Sequence, residues 1–177
     1  MKETINVFDY EQTILKALPQ GILLNTKEEK FNSMVIGWGA LGIAWNLPVF
    51  SVLVRENRYT KARLDRTGEF TVSIPINGPS GKIVKVCGSL SGRRVDKVAE
   101  AGLTLEEPRT NGVPGVAEYP LTLECKILYS QWLDPAGLPE ELRAAMYPQD
   151  VSGSDPGVNR DPHTAYIAQV VDAYIIK

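Results

Sequence analysis

Cysteine and histidine are scarce in this chain. Its 177 residues include two cysteines, Cys87 and Cys125, with no CxxC pair, and one histidine, His163. Two isolated thiols exclude a disulfide scaffold and a cysteine-built zinc site. One imidazole leaves few ways to build a histidine-rich metal centre or a His-based triad, so no metal is expected. An excess of one charge sign is also missing. Nineteen basic and 21 acidic residues leave a net charge of −2, which argues against a chain-wide nucleic-acid footprint. No continuous apolar run opens the chain: Lys2, Glu3, Asp9, Glu11 and Lys16 punctuate residues 1–20. No secretory signal reads there, and a cytoplasmic protein is the expectation. Nothing resembles a Ser-His-Asp set or a carboxylate pair at interpretable spacing.

What is present suits one globular domain. Apolar residues make up 44% and charged residues 23%, ordinary usage for a packed chain, and a chain this long buries about 70% of its unfolded surface. Residues 34–54 carry no charge, a 21-residue run long enough to span a bilayer. Gly37, Gly39, Gly42, Asn46 and Pro48 interrupt it, so two buried strands joined by a loop are expected, and no membrane. The same stretch matches GxGxxG at residues 37–42. A dinucleotide fingerprint must open a helix after its strand, and Pro48 leaves no room for one.

Residues 9–18 read as a short helix capped by Asp9, with Ile14, Leu15 and Leu18 on one face. Residues 21–26, 32–38, 49–55 and 69–74 read as strands. A helix is expected over 60–67, with Thr60 as N-cap and Gly68 as stop. Ser80 tips the ambiguous stretch 80–87 towards helix, and Gly102 closes another over 95–101. A long strand or bulged pair covers 116–132, with Pro120 at an edge or bulge. Residues 134–163 stand apart, with five prolines; they read as a surface excursion carrying one helix over 139–146. Residues 164–176 form a last strand, apolar on both faces and hence central. Strands and helices do not alternate strictly, so the expected fold is mainly β with short helices, a closed or split antiparallel barrel.

Three segments could carry chemistry. In the first, Arg55, Arg58 and Thr60 sit where a strand hands over to a helix. A helix N-terminus offers unpaired N–H groups, and arginine offers forked donors suited to phosphate. The competing reading is a capped helix with solvated arginines. In the second, Cys87, Gly88, Ser89, Ser91, Gly92, Arg93, Arg94 and Lys97 combine small residues, which let backbone approach a ligand, with positive charge. This is no Walker motif, and an ordinary polar loop competes. In the third, Asn32, Ser33, Met34 and Val35 lead a polar pair into an apolar strand. His163, just before the last strand, is a weak candidate for a ligand contact or proton donor.

Taken in order, these segments, with Trp38-Gly39, Glu69-Phe70-Thr71-Val72 and Glu124-Cys125-Lys126, resemble the flavin reductase-like family over roughly residues 10–177. The resemblance implies a split barrel that binds FMN, a homodimer with cofactor sites near the subunit interface, and a branch that includes flavoredoxin-like proteins. It implies that Asn32, Ser33, Met34, Val35 and Trp38 lie by the flavin ring. Arg55, Arg58 and Thr60 would serve the phosphate or ribityl end, and Cys87, Gly88, Ser91, Gly92 and Lys97 the phosphate side. Val35 departs from the threonine that members often carry, which removes a hydroxyl from the flavin edge. No residue need be catalytic, because flavin performs the transfer itself. The electron donor would be NAD(P)H, or a redox protein in the alternative of an electron-transfer flavoprotein. A cofactor-free binding module is the alternative from another class.

Overall fold

The computed structural model describes residues 1–152 and 160–177. Its strands are β1 (Lys2–Thr4), β2 (Ile22–Lys27), β3 (Phe31–Ile36), β4 (Gly39–Ala44), β5 (Leu47–Arg55), β6 (Glu69–Ile74), β7 (Leu105–Glu106), β8 (Gly115–Val116), β9 (Leu121–Trp132) and β10 (His163–Ile176). Its α-helices are α1 (Glu11–Ala17), α2 (Tyr59–Thr67), α3 (Gly81–Ser89), α4 (Lys97–Ala101) and α5 (Glu140–Met146). The excursion expected over 134–163 includes residues 153–159, which lie outside the described residues.

The last strand organises the sheet, as its two apolar faces foretell. β10 pairs with β9 on one edge, with β5 along the other, and with β1 at its end. The full path runs β3-β2-β6-β9-β10-β5-β4, all antiparallel. Register shifts at Ile167/Ala168 and Val170/Asp172 mark bulges, which bend strands and let the sheet curl. The curl does not close: β3 and β4 stand at opposite ends of the path. This is the expected mainly β, split antiparallel barrel.

Inside the curl lie Ile22, Leu24, Phe50, Val52, Val54, Phe70, Val72, Leu121 and Leu123, with Ile14 and Leu18 packed at its end. Alternation sets this arrangement: Phe50, Val52 and Val54 of β5 are fully buried, while Ser51 and Leu53 between them are part-exposed. A second cluster forms where α3 and α4 cover the outer side of β2 and β3, through Leu23, Ile83, Cys87 and Ala101. Both faces of β2 and β3 are therefore covered.

Several expectations need correction. The uncharged stretch 34–54 holds three strands, not two: residues 39–44 form β4, joined to β5 by a tight turn at Trp45 and Asn46, both at positive φ (50° and 58°). Two-residue hairpin turns need this backbone, and Asn tolerates it better than Trp. Gly39 of the GxGxxG match serves the hairpin, since a Cβ there would stand 2.6 Å from the Ser51 carbonyl oxygen. Asn6, not Asp9, caps the first helical turn, by accepting from Phe8 N–H at 3.2 Å. Leu15 is half exposed rather than buried with Ile14. Thr60 is not the cap of α2; Arg58 holds that position without a side-chain bond. Helix α4 begins at Lys97 with Asp96 as its cap, two residues later than expected, and the 116–132 stretch breaks into β8 and β9 around Pro120. The Gly68 and Gly102 stops, and the Ser80 cap, stand as read.

A buried carboxylate ties the 107–114 loop to the sheet. Glu124 on β9 is fully buried and accepts from the N–H groups of Arg109, Thr110 and Asn111 at 2.6, 2.7 and 2.8 Å. Charge-assisted bonds contribute about 1.5–3 kcal/mol each. Glu124→Gln puts an amide donor against at least one of these donors. Urea unfolding is expected to show a loss of about 2–3 kcal/mol; a loss under about 0.5 kcal/mol would mean the nest does not hold the loop.

Candidate active site

Many of the residues that line the opening between β3 and β5 are ones the sequence singles out. One end is a cleft of about 440 Å³ walled by Asn32 and Met34 of β3, Arg55, Arg58 and Thr60 at the β5–α2 junction, Ser91 and Gly92 of the α3–α4 connection, and Lys97. The middle is a cavity of about 150 Å³ between Met34, Val35, Trp38, Arg55, Arg58 and His163. Met34, Arg55 and Arg58 belong to both. Beyond Trp38 and Leu53 a third cavity, of about 460 Å³, extends under α5. Ser33, Cys87 and Gly88 do not line these spaces. They lie one layer behind, where their carbonyls hold the lining: Lys97 Nζ donates to the Ser33 and Cys87 oxygens at 2.8 and 3.0 Å, and Arg58 donates to the Gly88 oxygen at 3.4 Å.

The cleft is electropositive. Arg55, Arg58, Arg94 and Lys97 line it, and among the described residues no carboxylate does. Asp161 lies outside the lining and approaches Arg55 Nε at 3.6 Å. Burial, opposed by the Cys87 thiol and aided by Arg58, pushes the Lys97 ammonium down to about 8. Burial and then Arg55 lower Arg58. An anion here would relieve both penalties. The opening turn of α2 faces the same cleft through Tyr59 and Thr60, which adds the partial positive charge of a helix N-terminus.

Close packing shapes the wall. Asn32 Nδ2 donates to Thr60 Oγ1 at 2.9 Å, while Asn32 Oδ1 is buried without a partner in the protein. A Cβ on Gly92 would stand 2.0 Å from that oxygen, so only glycine fits. Lys30 Nζ holds the Gly92 carbonyl at 3.0 Å. Tyr59 is flanked by the guanidinium groups of Arg63 and Arg93, at 4.5 and 5.6 Å from its ring centre. Ser89 of the second segment also lines the cleft, as do Asn57 and Leu90, which carry no sequence signal beyond their neighbours.

His163 stands at the middle of the opening, next to Arg55 in register. Its ring lies 4.9 Å from that of Trp38, and its Nδ1 is 2.9 Å from Tyr147 Oη. Tyr147, which follows α5, went unmarked because only the fold brings residue 147 to residue 163. Burial, then Arg55, pushes the His163 imidazolium down to about 4, so the ring is neutral at pH 7.

The flavin reductase like domain model matches residues 15–177. The chain belongs to this family. Among solved structures it is similar to the flavoredoxin of Desulfovibrio vulgaris, with a TM-score of 0.65 and 22% identity over 89% of this chain and 69% of the other. It is similar to an FMN-binding domain of a flavin reductases-like enzyme from Shewanella baltica, with a TM-score of 0.64 and 16% identity over 99% and 77%. The NADH:FAD oxidoreductase of Streptomyces globisporus gives a TM-score of 0.61 and 15% identity over 93% and 81%. An uncharacterized protein of Archaeoglobus fulgidus is 27% identical over 126 residues, 71% of this chain and 67% of the other.

Because His163 is the one histidine of the chain, its ring protons are unambiguous by NMR. They are expected to titrate near pH 4 rather than near the ordinary value of about 6.5. As pH falls from about 6.5 to 4, the unfolded chain takes up a proton that the folded one refuses, so stability falls in that window. A midpoint near 6.5 would place the imidazole in solvent.

Proposed function

We propose that this protein is an FMN-dependent oxidoreductase, with the phosphate in the cationic cleft and the ring in the middle cavity. The observation that carries the reading is four cationic side chains and a helix N-terminus converging on one cleft that opens onto a cavity walled by a strand edge and Trp38. Arg58, Arg55 and Lys97 would bind the phosphate, with Arg94 near it. Asn32 Oδ1, buried and unpartnered, would accept from a ribityl hydroxyl, and Gly92 leaves that oxygen open. Ser33 C=O meets Lys97 on the free edge of β3, and alternate residues of an antiparallel strand point their N–H and C=O groups to the same edge. The Val35 backbone groups therefore face the opening, as donor and acceptor for the polar rim of the ring.

When bound, FMN supplies hydride or electron transfer, and the protein supplies binding, orientation and electrostatics. Trp38, Met34 and Leu53 would exclude water from the ring. His163, neutral at pH 7, adds no charge there. NAD(P)H is the electron donor in this reading; a redox protein is the donor in the second one. The outer face of the sheet suits a second copy of the chain. Tyr129, Ile167, Ser51 and Ala40 align across β9, β10, β5 and β4, and an uncharged row meets its own image without like-charge repulsion.

Arg58→Ala is expected to weaken FMN binding about ten- to a hundredfold, the value of one charge-assisted bond to phosphate, and to leave riboflavin binding unchanged. Fluorescence titration of both ligands reads this, with circular dichroism as the check on folding. Equal losses for FMN and riboflavin would place Arg58 at the ring or in the scaffold. FMN affinity should also fall as pH rises through about 8, where Lys97 loses its proton.

Steady-state NAD(P)H oxidation with added flavin separates the two donor readings: turnover supports the first, and FMN binding without turnover supports the second. Sedimentation of the loaded protein as a monomer would remove the second copy from the proposal.

A further inference from the structure

The cavity under α5 differs in chemistry from the cleft it communicates with. Trp38 and Leu53 form the shared wall, and Leu133, Leu138, Leu142 and Met146 form half of the rest. Leu142 and Met146, four residues apart on α5, present one helix face to it. Among the described residues of the lining the one charge is Asp134, whose carboxylate is engaged at its own turn by Ala136 N–H at 2.9 Å. No Lys or Arg there offers a partner to an anion.

One polar feature stands at the inner end. Tyr147 lines this cavity and is bonded to His163 of the middle cavity. A neutral imidazole and a phenol hold two such protons between them, and their mutual bond consumes one. The other remains available, on a residue of this cavity as Tyr147 O–H or on a residue of the middle one as His163 Nε2–H, according to the tautomer. Either way the pair offers a donor and no net charge.

We propose that the α5 cavity is the site of the electron acceptor, and that it takes a neutral, flat ring compound whose carbonyl oxygen accepts a hydrogen bond from the Tyr147–His163 pair. Quinones and conjugated ring ketones have this chemistry; phosphorylated or carboxylated acceptors do not. The inference rests on the proposed FMN site for the acceptor role, but the binding itself does not require FMN.

Calorimetry on the full chain tests it with three probes: 1-indanone, indane, which lacks the oxygen, and 1-indanone-5-carboxylate, which adds a charge. The carboxylate is expected to bind at least tenfold more weakly than 1-indanone. Tyr147→Phe should weaken 1-indanone roughly three- to tenfold, the value of one neutral hydrogen bond, and leave indane unchanged. Leu142→Asp, at a half-exposed position, should weaken both neutral probes and leave FMN binding intact. Carboxylate binding as tight as 1-indanone would overturn the neutral class. Equal losses of indanone and indane in Tyr147→Phe would overturn the carbonyl contact. Indifference to Leu142→Asp would overturn the location. FMN binding without 1-indanone binding would sink this inference and spare the FMN site; the converse would sink the FMN site and spare the cavity.

Discussion

A strand at the end of a sheet has backbone donors and acceptors that no neighbour satisfies. β3 is such a strand, and the opening beside it is where the rest of the site assembles. Lys97 answers part of the deficit by donating to the Ser33 carbonyl, and it binds the Cys87 carbonyl at the same time. One ammonium thereby fixes the distance between the sheet edge and α3. The cost is visible in its depressed pKa: a buried cation with only carbonyls for partners is held in place by geometry and lacks an anion. Arg58 likewise donates to the Gly88 carbonyl from a part-buried position, and burial lowers its pKa. The electropositive cleft is thus a consequence of how the open edge is braced.

The same opening separates two kinds of environment over a short span. On the α2 side the lining is cationic and polar; on the α5 side it is apolar. His163 and Trp38 mark the boundary. Its position beside Arg55 in register, together with its burial, keeps His163 neutral, so the cationic character ends there. Asp161 reinforces the division. It accepts from the Asn57 backbone and side chain at 2.9 and 3.0 Å while approaching Arg55, and so ties the chain entering β10 to the β5–α2 junction.

Much of the framework was legible in the residues. Short apolar, β-branched and aromatic segments marked β2, β3, β5 and β6, glycines 68 and 102 marked helix ends, and the doubly apolar run after His163 marked a central strand, because each is a local preference that the fold happens to agree with. β4 was hidden because Gly39, Ala40 and Gly42 carry little strand propensity and owe their conformation to pairing with β5. Thr60 was misread as a cap because its hydroxyl is occupied by Asn32, 28 residues away in sequence, a partner that only packing supplies.

For the site, the sequence by itself marked three candidate segments: the Arg55–Thr60 junction and the Cys87–Lys97 loop for their phosphate-suited chemistry, and the Asn32–Val35 strand for a polar pair entering an apolar run. These are short-range features, set by residue type at a chain turn. Tertiary structure decided which members face the opening and which brace it from behind, since Ser33, Cys87 and Gly88 act through carbonyls whose direction depends on strand pairing and helix docking. It alone brought Tyr147 to His163 and built an apolar cavity from the 133–147 stretch, because a contact between an excursion and a sheet edge has no local signature. Chain neighbours set what a residue can do; the direction of a backbone edge and the packing of α5 against it set what it meets.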